Sequence, residues 1–216
     1  MLNLHIKRGL IIVLLCPLAV AANFALYRLA VNVLGIPLFL DTVFTAAVSF
    51  ALGLWPGLLT AILHYSVVVI HQGNFNPFIL CSIAEVLLIC WLSPLKGKQR
   101  LAETPDRIRH ERNFASKINL FAGLLFLYIV CSLSISVLGG LIDFFYYGVW
   151  SNPRPGYSAE DTFKIRLFQS NIHLLVINIL SRIPVNIVDR FIVIFGGFFI
   201  SRAILRIAPT KNAQTS

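Results

Sequence analysis

Charged side chains are scarce in this sequence. Asp, Glu, Lys and Arg make up 12% of its 216 residues, whereas a soluble domain carries about 25%. That shortage excludes an ordinary water-facing surface over most of the chain. Cysteine is also sparse: Cys16, Cys81, Cys90 and Cys131 stand singly inside apolar segments with no CxxC spacing. Such residues pack as small hydrophobes and support neither a disulfide framework nor a zinc site. The GxSxG elbow, the HExxH helix and the Walker A loop are missing too. No catalytic residue, cofactor or metal is therefore expected, and an enzyme is not.

Apolar residues are what the chain has in abundance. They make up 57% of it, and the mean hydropathy is +0.81. A hydrocarbon core of roughly 30 Å takes about 20 apolar residues per helix, so this length holds six or seven crossings and little else. The expectation is an all-α polytopic integral membrane protein in a single membrane domain, residues 1–216, with no separate soluble domain.

The net charge of +9 would suit nucleic acid if it formed one patch, but it is dispersed around the apolar runs. Lys96, Lys98, Arg100, Arg107, Arg109, Arg112 and Lys117 crowd one segment, and Lys7, Arg8, Arg202, Arg206 and Lys211 flank the ends. Basic residues beside apolar spans mark cytoplasmic loops, so the partner is a lipid bilayer and not a nucleic acid. Lys7-Arg8, an apolar run and Ala19-Val20-Ala21 imitate a signal peptide. The apolar stretch continues to Leu34, however, and retention as a span is expected.

Spans are expected at about 9–30, 36–54, 55–70, 78–95, 118–141 and 184–205. A cytoplasmic basic loop covers 96–117, and an outer loop 151–169 leads into an amphipathic helix at 171–182. Pro184 is taken as the divider before the last span, because proline cannot donate a backbone bond and disfavours helix in the residue before it. Six crossings put both termini in the cytoplasm of a multi-pass protein of the cell's inner membrane. Twelve of the eighteen Lys/Arg residues then face inward. Charge and parity agree.

Ionisable groups within a bilayer are costly and call for a partner or a function. On this topology Asp41, His71, His64, Glu85, Asp143, Asn186, Asp189 and Arg190, with Asn23 and Arg28, fall in the outer half. Segments 9–19, 86–93 and 191–200 in the inner half carry no charge. Asp41, His71, Glu85, Asn186, Asp189 and Arg190 are the candidate substrate-binding residues of an outward-facing site, with Glu85 foremost. The alternatives are plainer: Arg28 snorkels to headgroups, Asp143 is interfacial, and Asp189 is a structural partner of Arg182, Arg28 or His71. Asp189 and Arg190 are adjacent, about 100° apart on a helix, and are not expected to face one site together. Gly139-Gly140, Gly196-Gly197 and the Ser49, Gly53, Gly57 series read as close-packing points.

Two stretches, GIPLFLDTVFTAAVSFALGLWPGLLTAI (35–62) and IPVNIVDRFIVIFGG (183–197), resemble the substrate-binding S component of energy-coupling factor (ECF) transporters. The carrying features are Asp41 early in the second span and Pro184, Asn186, Asp189 and Arg190 at the start of the sixth. The resemblance implies uptake of a vitamin or other micronutrient, energised by a separate T subunit and cytoplasmic ATPases. It also implies that Ala21 and Ala25, an Ala-xxx-Ala pair, dock on the T subunit. A membrane-embedded sensory input module, with no kinase expected on this chain, or an envelope-assembly scaffold without transport are the alternatives.

Overall fold

The computed structural model describes residues 2–34, 38–94, 114–150, 161–167 and 172–207. Among them every regular element is helical. α1 spans Leu2–Arg28 and runs into a π-helical turn at Leu29–Val33. α2 is Val43–Leu52, α3 Leu54–Gln72 and α4 Ile79–Leu92. α5, Phe114–Ile142, continues as a π-helical segment Asp143–Val149. The short α6, Asp161–Leu167, precedes α7, Leu174–Phe191. A π-helical turn at Ile192–Gly196 joins α7 to α8, Gly197–Ile207.

Four of these stretches are long and apolar enough to cross a membrane: Ile11–Arg28, Leu54–Gln72, Ile118–Val149 and Leu174–Arg206. α2 and α4 are apolar but shorter. The basic loop expected at 96–117 lies outside the described residues up to 113, as do 151–160 and 168–171 of the expected outer region.

Two expected boundaries are corrected. The chain does not break at Pro184: α7 passes through it, and with α8 forms one continuous helical stretch. Proline removes one ladder bond, but Pro184 sits on the exposed side of the helix, where its ring displaces no packed neighbour. Membrane-type helices tolerate such a gap because their neighbours hold them in place. The second expected span is much shorter than 36–54. Residues 38–42 are not helical, and α2 begins only at Val43.

α2 is the centre of the bundle. All of its residues except Phe44 are buried, and it packs against α1, α3, α4 and α8. Its side chains Val43, Ala46 and Phe50 join Ile89 of α4, Leu124, Leu127 and Cys131 of α5, and Val193, Ile194 and Phe198 in the main core. A single residue, Gly53, turns the chain from α2 into α3 with φ of 91°, a left-handed conformation that glycine adopts without a Cβ clash. The start of α2 is capped from α1. Asn23, fully buried, accepts the Phe44 N–H at 2.8 Å and donates to Thr45 Oγ1 at 2.9 Å, serving one of the donors a helix start leaves unpaired. α5 and α7 form the most extensive helix pair. A Cβ on Gly140 would meet Ile179 backbone atoms at 2.8 Å, so the two backbones touch where the paired glycines suggested close packing.

Candidate functional site

Residues 38–42 and helices α3, α4 and α7 bring four of the six candidate residues into one buried cluster. Arg190 reaches from α7 across the bundle. Its Nη1 donates to Glu85 Oε2 of α4 and, at 3.1 Å, to Thr42 Oγ1; its Nη2 donates to Asp189 Oδ2 at 2.5 Å. Asp189 and Arg190 thus face the same cluster, contrary to the expectation from their 100° separation. The arginine side chain is long enough to fold back onto its neighbour. Asp189 Oδ1 accepts the backbone N–H of Leu40 at 2.9 Å, and Leu40 has a φ of 42°. That left-handed conformation costs a branched residue of order 1–3 kcal/mol, and the bond to the fully buried Asp189 helps hold the non-helical segment in place.

Asp41 follows Leu40 in that segment and is not on a helix. It lies within electrostatic reach of His64, Asp189 and Arg190, yet no side chain among the described residues bonds its carboxylate. His64, on α3, is 3% exposed, and neither ring nitrogen has a hydrogen-bond partner. The Tyr65 hydroxyl is buried within electrostatic reach of Asp41 and is approached by the Ile79 backbone N–H, and Glu85 Oε1 is buried without a partner. Buried polar atoms in folded proteins are almost always paired, so their concentration around Asp41 and Glu85 is unusual.

The other two candidates lie elsewhere. His71 is exposed at the end of α3, 3.1 Å from Arg28 Nη1 of α1 and edge-on to Phe24; it does not join the cluster. Arg28 therefore has a side-chain neighbour as well as solvent. Asn186, one turn before Arg190, is buried and donates to Ser136 Oγ of α5 at 2.9 Å, which in turn donates to the Ser132 carbonyl. It ties α7 to α5 and contacts none of the carboxylates. Ala21 and Ala25 are both exposed on α1.

A second ionic cluster stands nearer the start of α7. Asp143 is buried among other side chains. Its Oδ2 accepts from Lys164 of α6 at 2.7 Å and from Arg182 Nε and Nη2 at 3.1 and 3.0 Å. Arg182 also covers the Phe78 ring, 4.5 Å from its centroid, and Phe78 stacks on Tyr147. Gly139 leaves room for the guanidinium, since a Cβ there would lie 2.9 Å from Nη1. Lys164, Arg182, Thr42 and Tyr65 were not among the sequence candidates. Only the isolation of Arg182 in an apolar run could have signalled it.

Among the described residues no group of three or more His, Cys, Asp or Glu side chains is placed to hold a metal ion. No family model matches the chain, and no curated protein or solved structure is found similar to it.

Proposed function

We propose that this chain is a solute-binding subunit of a micronutrient uptake system, with six membrane crossings, both termini in the cytoplasm, and transport energised by a separate T subunit and ATPases. The reading joins the likeness of 35–62 and 183–197 to ECF S components with one structural observation. The non-helical, half-buried segment 38–42 is set in an apolar helical bundle, with Asp189 and Arg190 bonded to it and His64 within electrostatic reach. Non-helical backbone at membrane depth is tolerated only where it is buried in protein or lines a cavity. Buried charge in such a bundle is costly unless it serves a function.

The six-crossing topology adds the short α2 and α4 to the four longer stretches. α2 is enclosed by other helices and needs no lipid-facing length of its own. In this topology the Asp143 cluster is the outer tier. The Arg190 cluster is the inner tier, about 12 Å deeper along α7 at 1.5 Å per residue. Below it, 191–200 and 86–93 carry no charge, which suits a site closed toward the cytoplasm, one that binds without conducting. Ala21 and Ala25, exposed on α1, are the surface offered to the T subunit.

Reconstitution in liposomes tests the mechanism. The protein alone is expected to bind solute saturably without concentrating it, and to support accumulation once ATPase and T subunits are added. Accumulation without ATP would make it a secondary transporter and overturn the reading.

A further inference from the structure

We propose that the solute carries a positively charged nitrogen, that of an organic amine, amidine or protonated heterocycle, which sits between Asp41 and Glu85 beside His64 and Tyr65. The inference rests on the reading of the chain as a solute-binding subunit and narrows its substrate class.

Charge is the first ground. The inner tier sets Asp41, Glu85 and Asp189 against Arg190, the one fixed cation among the described residues that contacts these carboxylates. Arg190 spends both Nη groups on Glu85, Asp189 and Thr42. Glu85 and Asp189 are buried and Asp41 is half-buried; carboxylates short of a counter-charge in such surroundings are costly, and a bound cation lowers that cost. An anion would meet the surplus carboxylates, and of the one fixed cation only Nε is left to receive it.

Hydrogen-bonding capacity is the second ground. Glu85 Oε1 can only accept when ionised, the Tyr65 hydroxyl can accept or donate, and neutral His64 offers one donor and one acceptor. Glu85 Oε1 and both His64 nitrogens are buried without partners, the Tyr65 hydroxyl has at most the Ile79 backbone N–H, and His64 and Tyr65 both lie within electrostatic reach of Asp41. A nitrogen with several N–H bonds satisfies the acceptors of this set together. A bare metal ion is disfavoured, because the cluster supplies no convergent set of ligands.

The test uses detergent-purified full-length protein and three flat probes of similar size: benzamidine (cation), benzamide (neutral) and benzoate (anion). Benzamidine in excess is expected to raise the thermal midpoint by on the order of 2 °C, and benzamide and benzoate to leave it unchanged. Asp41→Asn should keep the unliganded midpoint, since no side chain bonds Asp41, and should weaken benzamidine binding by about tenfold. A larger shift with benzoate, no shift with any probe, or a full response in Asp41→Asn overturns the proposal. The last two outcomes would indicate that a proton, and not a ligand, balances the surplus charge. The two readings fail separately. Asp41-dependent benzamidine binding without ATP-driven uptake removes the transporter and leaves the cation site. ATP-driven uptake of an anion does the reverse.

Discussion

The two ionic tiers along α7 use the same residue types to different ends. Around Asp143, two cations converge on one carboxylate, a second, Asp161, lies 3.5 Å from Lys164, and an aromatic face covers the arginine. Around Arg190, one cation meets two carboxylates directly and a third at longer range, with buried polar atoms left over. A network whose bonds are satisfied behaves as a structural tie. One with surplus capacity is either a defect or a receptor. Burial is alike in both tiers, so what separates them is how far each is satisfied.

That contrast orders the effects of substitution. The largest is expected from Asp143→Ala, which strips Lys164 and Arg182 of the carboxylate they share; removing one member of a buried pair costs about 3–5 kcal/mol. The thermal midpoint should fall sharply and α6 should become protease-sensitive. Gly139→Ala follows, at about 1–3 kcal/mol, because its methyl would overlap the Arg182 guanidinium. The same midpoint measurement, with Asp143→Ala as the second arm of a mutant cycle, should show less than additive loss. Glu85→Gln keeps shape and an acceptor for Arg190 but loses the charge, and about 1–2 kcal/mol of stability is expected to go with it. Solute binding should fall much further than stability does. Asp41→Asn is the smallest on stability, within about 0.5 kcal/mol, while still impairing binding. A ranking in which Asp41→Asn destabilises as much as Asp143→Ala would erase the distinction between the tiers.

The sequence made the helical class legible because apolar run lengths report it directly. It also marked Glu85 as costly and paired Asp189 and Arg190 with Asp41 through the family likeness. The non-helical segment 38–42 was hidden: Pro37-Leu38-Phe39-Leu40 is as apolar as a helix, and no periodicity separates the two over so short a run. The continuity of α7 through Pro184 was missed because a rule derived from isolated helices yields to packing by neighbours. Partners across long separations were the least readable. Lys164 lies in a stretch that reads as a loop, and nothing local links it to Asp143. The π-helical segments, which shift register by one residue, leave no compositional mark.

The most direct measurement is native mass spectrometry of the purified wild-type protein beside Asp41→Asn, with the thermal midpoint of each recorded. Wild type should carry a small molecule with a positively charged nitrogen. Asp41→Asn should release it while melting, once both are stripped of solute, at the same temperature. A wild-type protein without any bound solute, together with an Asp41→Asn variant that unfolds, would show that the Arg190 cluster is a structural tie like the Asp143 cluster.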